Sequence, residues 1–139
     1  MFGTLFLLWF FHGKIKREQV LHALVASLIA WVFAQGIKLL FPTLRPFEVG
    51  SGVPLTLTIP NDSAFPSTHT SMAFALANSI RKFHRKFGIL YIFSALLVGF
   101  GRVLGNVHYY IDILGGAFVG VVSVYLLEKA HEKDIIKIN

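Results

Sequence analysis

The sequence predicts an all-α fold, a polytopic transmembrane helical bundle of about five helices, and three observations predict it. Hydrophobic residues make up 55% of the 139 positions and only 14% are charged. With a mean hydropathy of +0.65, that composition is too apolar for a water-soluble domain of this size. The apolar residues gather in runs of helix length, and the lysines and arginines bracket these runs instead of forming a stripe. No repeat, low-complexity stretch or boundary divides the chain, which reads as one membrane-embedded domain over residues 1–139.

The runs cover residues 1–12, 19–40, 69–83, 88–104 and 111–127. Crossing a hydrocarbon core of about 30 Å takes about 20 helical residues. The first run is too short, carries no charge before Lys14, and lacks the basic start and small-residue cleavage site of a signal peptide. The expectation is a chain shortened at the N-terminus, with one helix and part of another lost. The 19–40 run spans comfortably. The 69–83 run is the most polar, with His69, Thr70, Ser71, Asn78 and Ser79, and is predicted to be shielded by its neighbours. The last two runs carry Gly101-x3-Gly105 and Gly116-x3-Gly120, a spacing that predicts close helix packing. Between the second and third runs, residues 41–65 hold four of the five prolines and a Gly50-Ser51-Gly52 turn. The alternation Leu55-Thr56-Leu57-Thr58-Ile59 suits a short strand or an extended edge, and a lid over the site is the preferred reading of this long connection.

Ten of the 13 lysines and arginines fall on one side of the spans: Lys14, Lys16 and Arg17, then Arg81, Lys82, Arg85 and Lys86, then Lys129, Lys133 and Lys137. Cytoplasmic loops are the ones enriched in Lys and Arg, so this side and the C-terminus are predicted to be cytoplasmic. Lys38, Arg45 and Arg102 break the pattern at the opposite face. An anionic substrate at the outer surface of a cell membrane gives them a reason.

Those three cations stand beside Pro66-Ser67-Thr68-His69 and the pair His108 and Asp112. Four residues apart at a helix start, the Asp112 carboxylate accepts from one imidazole nitrogen and leaves the other as a nucleophile. Pro66 suits a first helical position, and the backbone N–H groups there suit a phosphate oxygen, with Ser67 and Thr68 as further donors. Lys38, Arg45 and Arg102 neutralise the equatorial oxygens of a phosphoryl group. His69 remains to protonate the departing oxygen and then to activate water. This set calls for no metal and no cofactor.

Lys38-x6-Arg45-Pro46, Pro66-Ser67-Thr68-His69 and Gly101-Arg102-x5-His108-x3-Asp112, in that order over residues 38–112, resemble the three-part signature of the type 2 phosphatidic acid phosphatase superfamily. The resemblance implies a metal-independent phosphatase with His108 as nucleophile, Asp112 orienting it and His69 as acid and base. It also implies phosphate binding by Lys38, Arg45, Ser67, Thr68 and Arg102. Two positions depart from the usual pattern: Thr68 replaces a glycine and Gly101 a frequent serine. The family core has one helix more than the five runs read here. Arg45-Pro46-Phe47 and Ala64-Phe65-Pro66-Ser67 look like bacterial undecaprenyl-diphosphate phosphatases of the bacitracin-resistance type. That likeness implies removal of the terminal phosphate from a polyprenyl diphosphate. Phosphatidylglycerophosphate, phosphatidic acid and other lipid phosphates fit the same site.

Other classes are weighed against this reading. A catalytically silent lipid-phosphate binder or transporter leaves the nucleophile, its orienter and the acid unexplained. A vanadate-dependent haloperoxidase shares a similar anion site but carries a soluble helical domain. A pI of about 9.8 raises nucleic acid as a partner. Without a basic stripe interleaved with exposed aromatics, the expected partners are instead a lipid phosphate or diphosphate and membrane lipids. There is no cysteine, hence no disulfide framework. His12, His22, His84 and His131 match no motif and read as structural, and Trp9, Trp31 and the tyrosines read as span and interface residues.

Overall fold

A computed structural model describes residues 3, 17–50, 52–57 and 59–132. Its helices are α1 (Arg17–Leu40), the single turn α2 (Pro46–Val49), α3 (Thr68–Phe83), α4 (Arg85–Leu104) and α5 (Tyr110–Glu132). Among the described residues there is no strand, and the all-α reading holds. The predicted run at 1–12 and the shortened N-terminus lie outside the described residues.

The helices α1, α4 and α5, of 24, 20 and 23 residues, are long and apolar enough to cross a membrane, and the chain is read as a membrane protein. With 16 residues, α3 is about 24 Å long and falls short of that length. It is nevertheless the centre of the bundle: it packs against α1, α4 and α5, whereas α4 and α5 scarcely meet. The expected shielding holds for three of its five polar residues; Asn78 is half-buried, and His69, at the end that opens on the connection, is exposed. Thr70, Ser71 and Ser79 are fully buried, and each hydroxyl has a partner, since a buried polar group without one is costly. Thr70 Oγ1 donates to Ser67 Oγ at 3.0 Å and Ser71 Oγ to the Ser67 carbonyl at 3.0 Å, while Ser79 Oγ pairs with His22 Nδ1 of α1 at 2.6 Å.

Small residues set the helix spacing. On α1 the fully buried Ala23, Ala26, Ala30 and Ala34 form one face, with Ala23 in the cluster around Leu76 and Tyr91 and Ala26 and Ala30 in that around Val119 and Leu127. On α5, a Cβ at Gly116 would stand 2.6 Å from the Ser67 carbonyl oxygen, and one at Gly120 would stand 2.5 Å from that of Ser71. The pair is therefore the contact between α5 and α3, as its spacing predicts, and the two helices run parallel. Gly101-x3-Gly105 is different. A Cβ at Gly101 meets nothing within 4 Å, and Gly105 caps α4, where its carbonyl accepts the Leu55 N–H at 2.9 Å. That pair holds the long connection and not a second helix.

The basic stretch 81–86 is not a loop. His84 alone separates α3 from α4, accepting the role of C-cap for one and N-cap for the other, and Gly88 fits because a Cβ there would lie 2.2 Å from the Arg81 Cα. After α4 the chain reverses through Asn106, whose φ of 58° is the left-handed region that asparagine tolerates. This turn returns residues 107–108 toward the bundle.

Candidate active site

Three chain segments converge at the end of the bundle where α3 and α5 begin. The end of α1 supplies Lys38, the connection supplies Arg45 and residues 60–63, and the turn before α5 supplies His108. A cavity of roughly 190 Å³ lies among them, lined by Lys38, Arg45, Thr68, His69, Arg102 and His108 of the sequence-predicted set.

His108 precedes α5 and is not part of it, while Asp112 lies in the first turn. Both are buried. The Asp112 Oδ2 accepts the Tyr109 N–H at 2.8 Å and lies 3.3 Å from His108 Nδ1. The other ring nitrogen, Nε2, lies 3.3 Å from Arg45 Nη1, a group that can only donate. Together the two contacts assign the proton to Nδ1 and an unshared electron pair to Nε2. Burial pushes the His108 imidazole below its ordinary range, against the opposing pull of Asp112 and with the Arg45 charge adding to the depression.

Arg45 is the most connected residue of the site. Its Nη1 donates to the Val107 carbonyl at 2.8 Å and its Nε to the Asp62 carbonyl at 2.9 Å, and its Nη2 meets Asp62 Oδ1 at 2.5 Å. Its backbone N–H donates to Glu48 Oε2 at 2.6 Å, fixing the first turn of α2. One guanidinium thus ties the connection to the segment that carries His108. Lys38 lies 3.1 Å from Asp62 Oδ2 and also donates to the Ser63 carbonyl.

Asp62 was not among the residues read from the sequence, and it is the counter-ion of both cations. Partial burial raises the Asp62 carboxyl, but the hydrogen bonds and charges of Lys38 and Arg45 outweigh that effect and hold it below the ordinary carboxylate range. One signal was available: it is one of only seven acidic residues and sits in the Pro-rich connection between two cationic motifs.

Several local expectations change. The helix opens at Thr68 with Ser67 as N-cap, so Pro66 is one residue outside the cap and not at the first helical position. Its neighbour is extended (φ −70°, ψ 108°) because the Ser67 N–H is drawn to the Asp112 carbonyl at 3.0 Å, which joins the starts of α3 and α5. Ser67 is fully buried and its hydroxyl faces Thr70, so it stands off the cavity wall. His69 consequently lies in the first turn. Trp31, read as a span residue, lines the cavity together with Gln35, Pro60 and Asp62. His22 and His84, by contrast, are structural as read, bonded to Ser79 at 2.6 Å and Gln19 at 2.9 Å.

Three buried polar atoms on the cavity residues have no protein partner: Thr68 Oγ1, Arg102 Nε and Gln35 Oε1. With Lys38 and Arg45, the Thr68 hydroxyl and Arg102 Nε compose a wall rich in positive charge and donors, against which His108 Nε2 is the basic atom, while Gln35 Oε1 can only accept. The arrangement suits a tetrahedral oxyanion presented to a nitrogen nucleophile.

The chain matches the PAP2 superfamily over residues 19–135. The bacitracin transport permease protein BcrC of Bacillus licheniformis is 31% identical over 115 residues, which cover 83% of this chain and 57% of that protein. The undecaprenyl-diphosphatase BcrC of Bacillus subtilis is 31% identical over 119 residues, 86% of this chain and 61% of that protein. Among solved structures, Aquifex aeolicus LpxE superimposes with a TM-score of 0.75 at 26% identity, covering 92% of this chain and 75% of its own. The chain thus spans about three fifths of the length of the curated relatives it matches.

Proposed function

Because the chain belongs to the PAP2 superfamily, we propose that it is a membrane lipid phosphatase that hydrolyses a polyprenyl diphosphate of the undecaprenyl type to the monophosphate, with its site facing the outside of the cell. The observation that carries this reading is the fixed His108: Asp112 lies against one ring nitrogen, while the other carries its electron pair toward Arg45 Nη1 at a cavity walled by Lys38, Arg45 and Arg102. The diphosphate comes from the relative named an undecaprenyl-diphosphatase.

In this mechanism His108 Nε2 attacks the terminal phosphorus in line with the bridging oxygen. The N–P bond forms as the bridging P–O bond breaks, and the electron pair leaves on the monophosphate, which takes a proton from His69. The neutral His69 then takes a proton from water, whose oxygen attacks phosphorus. The N–P bond breaks, the pair returns to Nε2, and inorganic phosphate departs. The cations stabilise the equatorial oxygens in both steps, and Asp112 keeps the Nδ1 proton in place as charge develops on the ring.

The test is rapid quenching of the full chain with diphosphate labelled at its terminal phosphorus, in detergent and chelator. An acid-labile, alkali-stable label on the protein, absent in His108→Ala, together with faster release from the diphosphate than from phosphatidic acid or phosphatidylglycerophosphate, is the expected result. Equal rates on all three leave a lipid phosphatase of other specificity. A second reading, a silent binder or transporter, draws on the relative named a transport permease. It takes over if the folded chain binds the lipid phosphate and neither acquires label nor releases phosphate.

A further inference from the structure

At the opposite end of the bundle lies a second polar cavity, of about 320 Å³, lined by Asn78, Arg81 and Lys82 of α3 and by Val121, Val124, Tyr125 and Glu128 of α5. We propose that this groove binds an anionic glycerophospholipid, its phosphate headgroup held at Arg81 and Lys82 and an acyl chain laid against Val121 and Val124.

The argument rests on how polarity is ordered along the groove. Residues 78, 81 and 82 share one face of α3, and residues 121, 124, 125 and 128 share one face of α5. The two helices run parallel, with Gly116 and Gly120 of α5 against Ser67 and Ser71 of α3, so position along one maps to position along the other. Asn78 and Val121 therefore stand deepest toward the bilayer centre, while Arg81, Lys82 and Glu128 stand at the mouth. Below, Val121 and Val124 face Asn78, whose amide nitrogen is already bonded to the Phe74 carbonyl at 2.9 Å; valines below and cations above follow the order of groups in a phospholipid.

The mouth carries more positive than negative charge. Lys82 pairs with Glu128 at 3.2 Å, and Lys129 Nζ lies 4.9 Å from the centre of the Tyr125 ring, adding a further cation beside the same wall. Among the described residues Arg81 has no carboxylate within ion-pair distance. Setting membrane orientation needs only charge near the ends of the spans, and Arg85 and Lys86 supply that without lining the groove. A cavity that places two cations above an apolar wall between two helices calls for a ligand with both features. Each lysine or arginine near an anionic lipid surface is favourable by about 1 kcal/mol, and a shaped groove concentrates that on one molecule.

The site bears on the histidine cavity through the same two helices. At their other ends α3 carries His69 and α5 carries Asp112, so a lipid seated between Arg81 and Tyr125 braces the elements that hold the acid and the orienter.

The experiment is native mass spectrometry of the full chain in detergent with equimolar palmitoyl-oleoyl phosphatidylglycerol and phosphatidylcholine, and it requires no catalytic activity. Wild type is expected to retain phosphatidylglycerol roughly tenfold over phosphatidylcholine. Arg81→Gln with Lys82→Gln removes the preference, and Arg85→Gln with Lys86→Gln keeps it. Val121→Trp, which fills the groove without changing charge, also removes it and covers the case in which the double variant does not fold. The proposal is overturned if the Arg85 and Lys86 pair matters as much as the Arg81 and Lys82 pair, which is diffuse attraction. It is equally overturned if millimolar glycerol 3-phosphate displaces the lipid, which is a site for a free phosphate ester.

Discussion

Asp62 occupies Arg45 as a phosphate would: Arg45 Nη2 meets its Oδ1 at 2.5 Å, and Arg45 Nε donates to its carbonyl oxygen at 2.9 Å. Lys38 approaches the other carboxylate oxygen at 3.1 Å. In the proposed function an arriving phosphoryl group shares these cations with a carboxylate that is already there. Asp62→Asn is therefore expected to strengthen inhibition by vanadate or inorganic phosphate by about fivefold, the size of roughly 1 kcal/mol for a partly exposed charge. An inhibition constant that stays the same or rises would show that Asp62 positions the cations without competing for them.

In the proposed mechanism the acid side of the pH profile belongs to His108. Only the neutral ring offers Nε2, and burial holds its pKa below the ordinary value of about 6.5. The rising limb of kcat/KM is expected to have its midpoint below that value, and Asp112→Asn, which removes an opposing pull, moves the midpoint lower still while slowing the reaction. Stability carries the same sign. With the folded pKa below the unfolded one, the contribution of His108 is whole above about pH 6.5 and is lost as pH falls from there through the folded pKa. Asp62, also depressed, contributes above about pH 3.9 and fails only below it. A kcat/KM limb centred above 6.5 would remove His108 from the role of free base.

In the proposed mechanism His69 and His22 put histidine to two different uses. His69→Ala is expected to lower kcat by about 10² to 10⁴ while phosphate label remains trappable on His108. His22→Ala breaks the bond to Ser79 and is expected to lower stability by roughly 1–3 kcal/mol with kcat within about twofold. Turnover and thermal unfolding in detergent, measured on both variants, decide it. An exchange of these two effects would reverse the assignment.

Two glycine pairs with identical spacing are expected to respond in opposite ways. Gly116→Ala or Gly120→Ala forces a Cβ onto the Ser67 or Ser71 carbonyl oxygen, backbone atoms that cannot swing aside, and is expected to lower stability by roughly 1–3 kcal/mol. Gly101→Ala meets open space and is expected to be neutral or to stabilise by up to about 1 kcal/mol, since alanine is the better helix former. Melting temperatures of the three variants provide the comparison.

The difference between these pairs shows what was legible in the sequence. Helix positions follow from apolar length, and the joint lining of one cavity by Lys38, Arg45, His69, Arg102 and His108 was expected from their shared fitness for a phosphoryl group and from the resemblance to a family signature, not from any local spacing. Gly101 and Gly116 look alike because spacing records a shared face without recording what that face meets. Asp62, Gln35 and Trp31 escaped for a related reason. Each acts on the cavity through a contact made by the packing of α1 and the connection, and an isolated aspartate, glutamine or tryptophan carries no local period. Pro66 falls two positions short of the first helical position expected for it, because the bond that fixes the cap comes from Asp112, 45 residues along the chain (112 − 67 = 45).

The parallel pairing of α3 and α5 has one more consequence. Peptide dipoles along a helix sum to roughly half a positive charge at its start and half a negative charge at its end. Both helices begin at the histidine cavity, so about one elementary charge of backbone origin is aimed there, unaffected by titration of any side chain. Their far ends carry the matching negative potential beside Arg81, Lys82, Lys129 and His131. The bundle is thus polarised from end to end, with the basic residues gathered where the backbone is negative and the buried histidine where it is positive.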